Sequence, residues 1–208
     1  MTGDSRIPRA SGPLPDAHGA NDDVLQQDKS ALRNALKTRR RAIDHATKLA
    51  WDDRIGAQVL AQVQAWWQAH PQAVLGVYWP LAGEPDLRPA YAELAQAGVR
   101  LALPVVVERG AALGFAEWIP GEPTVTDKLG VAVPEELRMV ARPPALLVPC
   151  LGFDAQGYRL GYGGGFYDRT LAAQPRPQTL GIAYACQRAE FPLDVYDVPL
   201  DRVITEET

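Results

Sequence analysis

The run Ala145-Leu-Leu-Val-Pro149 leads into a loop with four glycines in five positions (Gly161, Gly163, Gly164 and Gly165), and a helical stretch follows near 165–174. No other feature constrains the fold as strongly. A strand that is apolar at every position, not at alternate ones, must be covered on both faces, and this is the condition of a parallel sheet with helices above and below it. Joining such a strand to a helix through a tight loop is the connection that parallel strands require.

The rest of the chain repeats the theme. Leu25, Leu32, Leu36 and Ile43 fall near one face of a helix that starts at about Val24, with Lys29, Arg33, Lys37 and Arg40 on another. Asp44 is placed to cap a second helix, whose Ile55, Val59, Val63 and Trp66 stripe runs to His70-Pro71. Strands are predicted over 74–79, 99–107, 145–149, 179–184 and about 203–205, with 113–118 as a hairpin partner and a helix over 87–97 ending at Gly98. The predicted architecture is a three-layer α/β/α Rossmann-like domain with a mainly parallel sheet, spanning residues 23–208. Residues 1–22 contain Pro8, Pro13, Pro15 and three glycines and little to bury, and are expected to form a disordered extension.

Composition narrows the chemistry. The 208 residues are 47% hydrophobic and 22% charged, so a substantial core can form. The 25 acids against 21 bases give a net charge of −4, which argues against nucleic-acid binding as the main task. No run has the length of a membrane span, and no hydrophobic signal core opens the chain, so a cytoplasmic protein without membrane association is expected. A monomer is expected because no apolar patch stands outside the core pattern. Ser5, Ser11 and Ser30 are the only serines, and none sits in a nucleophile elbow. His18, His45 and His70 have no zinc spacing, and Cys150 and Cys186 read as small core residues.

The stretch Arg159-Leu160-Gly161-Tyr162-Gly163-Gly164-Gly165-Phe166-Tyr167-Asp168-Arg169 concentrates the candidate chemistry. Without Cβ atoms its backbone N–H groups can close around phosphate oxygens, and the following helix start favours the same anion. Arg159 adds a permanent cation and Asp168 a carboxylate able to hold magnesium. The residues alone leave this open against an ordinary glycine-rich surface turn. Lys29 and Arg33, one helical turn apart, are likewise either phosphate ligands or a solvated basic face. Ligands of open parallel sheets bind at the strands' carboxyl ends, where Trp79–Asp86 and Pro149–Asp168 would lie.

Leu147 to Asp154 and Arg159 to Arg169 together closely resemble the signature of the 5-formyltetrahydrofolate cyclo-ligase family. Lys29-Ser-Ala-Leu-Arg33, Tyr78-Trp-Pro-Leu-Ala-Gly-Glu84-Pro-Asp86, Leu103-Pro104, Phe115 with Trp118, Lys128-Leu-Gly130 and Asp197-Val-Pro-Leu-Asp201 follow in the family's order, over about residues 24–206. The resemblance implies a fold like that of the sugar-phosphate isomerase and CoA-transferase group. It implies ATP- and Mg²⁺-dependent cyclisation of 5-formyltetrahydrofolate to 5,10-methenyltetrahydrofolate. Lys29, Arg33, Arg159, Leu160 and the segment Gly161, Tyr162, Gly163, Gly164, Gly165, Phe166 and Tyr167 would then bind ATP. Trp79, Leu81, Glu84, Trp118, Phe166 and Tyr167 would bind the reduced folate, with Glu84 on the pterin's donor nitrogens. Arg159 and Lys128 would serve catalysis, and Asp168 and Asp201 would hold magnesium. Three other readings compete with it: a relative acting on another pterin or heterocyclic amide, a non-catalytic nucleotide-binding module, and an enzyme of the sugar-phosphate isomerase and CoA-transferase group, which would not consume ATP.

Overall fold

A computed structural model describes residues 17–128 and 130–208. Two long helices, α1 (Ala17–Arg41) and α2 (His45–Ala69), precede the first strand. The Asp44 side chain accepts from Thr47 N at 3.0 Å and caps α2 as its position predicts. α1 begins at Ala17, so residues 17–22 are helical and do not belong to an unstructured extension. All three prolines of the expected extension precede Ala17, which leaves nothing after Pro15 to forbid a helix. Residues 1–16 lie outside the described residues.

The strands that follow are β1 (Val74–Gly76), β2 (Arg100–Val105), β3 (Gly114–Trp118), β4 (Thr124–Thr126), β5 (Ala132–Pro134), β6 (Arg138–Val140), β7 (Ala145–Pro149), β8 (Gly152–Phe153), β9 (Arg159–Leu160), β10 (Gln178–Ile182) and β11 (Arg202–Ile204). Helix α3 (Arg88–Gln96) joins β1 to β2, and α4 (Phe166–Ala172) precedes β10. Seven strands form one sheet in the order β11-β10-β7-β1-β2-β3-β6. The first five run parallel, and β3 and β6 close one edge antiparallel. Small two-stranded pieces, β4–β5 and β8–β9, stand outside this sheet.

Alternation along each strand divides the core. Leu75, Leu101, Leu103, Leu147 and Ile182 face Ile55, Val59 and Val63 of α2 and Tyr91 and Leu94 of α3. Ala102, Leu146 and Val148 face the other way, onto Phe115, Leu171 of α4 and Leu200. Leu36 of α1 packs with Leu151 and Leu160. β7 is buried at Ala145, Leu146, Leu147 and Val148 because both faces are covered, as its unbroken apolar run requires. The expected three-layer α/β architecture is therefore the observed one. β4, β5 and β6 were not foreseen: each has three residues, too few for period-2 alternation to register.

Candidate active site

The parallel strands' carboxyl ends open into one cavity of about 860 Å³. After β1 the chain supplies Tyr78, Trp79, Leu81 and Glu84, β2 contributes Pro104, and β7 ends at Pro149. α1 crosses nearby with Lys29 and Arg33, and the segment 191–198 closes another side with Phe191, Asp194 and Asp197.

Between β7 and the glycine-rich loop, the β8–β9 hairpin sets Arg159 in place. Its turn is an Asx arrangement: Asp154 Oδ1 accepts from Gln156 N and Tyr158 N at 2.9 Å each, and Gly157 takes φ +86°. Arg159 emerges buried, with Nη2 at 2.9 Å from Asp168 Oδ1 and its guanidinium 5.1 Å from the centre of the Tyr167 ring. Among the described residues its buried Nε has no hydrogen-bond partner. Arg33 Nε donates to Gly161 O at 2.9 Å, and Lys29 Nζ lies 3.4 Å from Asp197 Oδ2. The glycine-rich loop is thus neither a free surface turn nor remote from the basic helix face. Gly161, Tyr162, Gly163, Gly164 and Gly165 all line the cavity, as do Leu160, Phe166, Tyr167 and Asp168.

Glu84 lies across from the loop and is only 2% exposed. Its Oε2 accepts from Leu81 N at 2.8 Å, and its Oε1 accepts from the Tyr162 hydroxyl. Arg40 Nη1 stands 3.7 Å from that same oxygen. Burial, reinforced by the neighbouring Glu84 charge, raises the Tyr162 phenol, which therefore stays a donor. Burial likewise raises Tyr167, and pushes the Cys150 thiol up to about 12. Cys150 is a neutral core residue at neutral pH, as its sequence context indicates.

Three of the sequence-derived assignments are displaced. Asp201 does not meet Asp168. It precedes β11, at the amino ends of the parallel strands, where Oδ2 accepts from Thr179 N at 2.7 Å and Thr179 Oγ1 at 2.9 Å and Oδ1 pairs with Arg176 at 3.2 Å. There it borders a separate pocket of about 400 Å³. Asp197, which sequence reasoning did not assign to the metal, lines the cavity together with Asp168. Trp118 is buried in β3 and sits edge-on behind Trp79, ring centres 5.6 Å apart, so it braces Trp79 and does not line the cavity. Lys128 is exposed on the β4–β5 turn and is absent from the lining, whereas its neighbour Asp127 is part of it. Arg40 was also missed as a site residue. It continues the helical row of Lys29, Arg33 and Lys37, and that spacing was the available signal.

Fold and site define an α/β protein with a cation-flanked glycine-rich loop and a buried carboxylate at the carboxyl edge of a parallel sheet. A family model described as the 5-formyltetrahydrofolate cyclo-ligase family matches residues 25–206. The chain belongs to that family. It is 31% identical over 178 residues to the 5-formyltetrahydrofolate cyclo-ligase of Escherichia coli K12, covering 82% of this chain and 96% of the relative. It is 29% identical over 189 residues to that of Mycolicibacterium smegmatis, covering 86% and 94%. Among solved structures, the 5,10-methenyltetrahydrofolate synthetase of Mycoplasma pneumoniae superposes with a TM-score of 0.69 at 26% identity, over 86% of this chain and 99% of that one. The synthetase of Aquifex aeolicus gives 0.69 at 27%, over 86% and 90%.

Proposed function

We propose that this chain cyclises 5-formyltetrahydrofolate to 5,10-methenyltetrahydrofolate, converting ATP to ADP and phosphate. One observation carries the reading beyond family membership. A buried carboxylate suited to a heterocycle's paired N–H donors and a cation-flanked glycine loop suited to phosphates face each other across a single cavity. In this reading the γ-phosphate transfers to the formyl oxygen. Nitrogen 10 then attacks the activated carbon and loses its proton, and phosphate departs with that oxygen. Such chemistry needs positioning and charge neutralisation more than a protein nucleophile, and neither histidine nor serine is found among the described residues lining the cavity.

Lys29, Arg33, Arg159 and the Gly161–Gly165 backbone would hold the triphosphate, and Glu84 the pterin. Trp79, Leu81, Phe166 and Tyr167 would form the flat apolar walls. Asp168 and Asp197 fit a magnesium ion: both are oxygen donors on the same cavity, and each is interleaved with a phosphate cation, Arg159 or Lys29. Bound there with ATP, the ion would neutralise phosphate charge. Every group in this assignment comes from one chain, so a monomer suffices. Residues 23–208 act as one unit in it. The two unpaired cysteines fit a reducing, cytoplasmic setting. Among the described residues no helix is long and apolar enough to cross a membrane.

The direct test follows the methenyl product's near-ultraviolet absorbance in a mixture of protein, 5-formyltetrahydrofolate and Mg²⁺, with and without ATP. An ATP-dependent rise is expected. A flat trace from protein that binds ATP in calorimetry would assign the site to a different second substrate.

A further inference from the structure

Tyr162 belongs to the glycine-rich loop, yet its hydroxyl is turned away from the phosphate cations. It donates to Glu84 Oε1 and accepts from Arg40 Nη1 at 3.0 Å. Arg40 is anchored in turn by Ala82 O at 3.1 Å, and the Lys37 ammonium lies 5.6 Å from the centre of the Tyr162 ring. The partners of Glu84 differ in kind. The Leu81 N–H is main chain, three residues away on the same turn, and stays with the carboxylate whatever binds. Tyr162 comes from 78 residues along the chain, is 41% exposed, and has glycine on either side, with Gly163 at φ +98°. Among the described residues it is the hydrogen-bonding partner of Glu84 that can leave without unfolding the turn.

The same pattern holds across the cavity. Lys29 rests on Asp197, Arg159 on Asp168 and Arg33 on Gly161 O, so each cation assigned to phosphate has an internal acceptor. At Glu84 the internal substitute is a phenol, a single O–H where a pterin offers two N–H donors side by side.

We propose that Tyr162 is a latch: in the free protein its hydroxyl occupies the Glu84 oxygen that the pterin requires, and folate entry lifts it off. This rests on the folate reading of Glu84 given above. The apparent folate affinity is lowered by the fraction of molecules that are latched. Tyr162 is a positioning residue, outside the reacting atoms.

The test uses 5-formyltetrahydrofolate without ATP, so that no turnover occurs, on the wild-type chain and on Tyr162→Phe. That variant keeps the ring and its Lys37 contact, and Arg40 remains beside Glu84. Tyr162→Phe is expected to bind the folate roughly three- to tenfold more tightly by calorimetry. Without ligand it melts lower than wild type, by roughly 2–4 °C. At saturating folate the two melting temperatures converge, because the deleted bond is absent from the complex. MgATP alone leaves the gap open. Tyr162→Leu gives the same signs. Equal or weaker folate binding by Tyr162→Phe, with the melting gap persisting at saturation, would overturn the latch and show that the hydroxyl still holds Glu84 in the complex. A wild-type chain that binds ATP but not 5-formyltetrahydrofolate would overturn the folate reading and the latch together.

Discussion

Arg159 and Glu84 divide the proposed site between two ligands, and single substitutions should separate them. Arg159 is buried, its guanidinium paired with Asp168 and 5.1 Å from the centre of the Tyr167 ring, so a phosphate reaching it meets a pre-positioned charge. A charge-assisted bond of this kind contributes about 1.5–3 kcal/mol. Arg159→Ala is therefore expected to raise the KM for ATP roughly ten- to hundredfold. Unchanged ATP kinetics would remove it from the phosphate set. Glu84→Gln keeps size but replaces half of the acceptor pair by a donor, which meets the pterin N–H groups donor to donor. Its expected effect is a large rise in the KM for folate with ATP affinity nearly intact, read in the same steady-state assay. Equal losses for both ligands would end the division of roles. At this scale the sequence was informative where chemistry and motif coincided, as in Lys29, Arg33, Glu84 and the glycine loop. Asp201 was assigned by the resemblance alone, and the fold sets it apart from Asp168. Asp197 and Asp201 are four residues apart and equally acidic, and the difference lies in which end of the sheet each reaches. Asp201 directly precedes a parallel strand, and that position alone assigns it to the edge opposite the ligand.

Among the elements, the glycine-rich loop and the central strands use glycine for different reasons, and substitution should expose the difference. Gly163 takes φ +98°, and the nearest atoms to a Cβ there belong to the Arg33 guanidinium, at 3.7 Å. Gly163→Ala is thus penalised by backbone conformation, roughly 1–2 kcal/mol, and the loop relaxes to a different posture. ATP affinity should fall several-fold, accompanied by little loss of core stability. Gly181 in β10 has ordinary backbone, but a Cβ would fall 2.6 Å from Leu200 Cδ1 and 3.1 Å from Cys150 Sγ. Gly181→Ala overpacks that face and should cost about 1–3 kcal/mol, a melting point lower by roughly 2–10 °C with KM values unchanged. The opposite pattern, a Gly163 variant that melts early and binds ATP normally, would mean that the loop's conformation serves the fold. Elements as long as α2, or as uniformly apolar as β7, declare themselves in sequence because many residues repeat one signal. The β4–β5 hairpin and β6 do not, and Lys128, assigned by the resemblance alone, stands exposed on the turn between β4 and β5. Trp118 shows a related limit of sequence, since an aromatic on a strand reads the same whether it faces a ligand or, as here, packs edge-on against Trp79.

Charge over the whole molecule bears on the metal. The chain carries a net −4, and the cavity does not reverse that sign: Lys29, Arg33, Arg159 and Arg169 line it together with Glu84, Asp127, Asp168, Asp194 and Asp197. Four cations against five carboxylates cannot by themselves welcome a triphosphate and an anionic folate. Two of the carboxylates, Asp168 and Asp197, already neutralise Arg159 and Lys29, so ATP binding frees acidic oxygens at the moment it adds negative charge. A hard divalent cation resolves both effects at once. Turnover is therefore expected to vanish in excess chelator and to return with Mg²⁺. Asp168→Asn and Asp197→Asn should each raise the Mg²⁺ concentration needed for half-maximal rate, by about tenfold if one charge-assisted contact is lost. Asp201→Asn is the internal comparison. It weakens the tie to Thr179 and Arg176 at the far edge of the sheet, at a cost of about 1 kcal/mol, and should lower the melting point by a few degrees while the Mg²⁺ titration stays where it was. A shifted Mg²⁺ titration in Asp201→Asn, with Asp197→Asn behaving as wild type, would reverse the assignment and require the two ends of the sheet to communicate through β11.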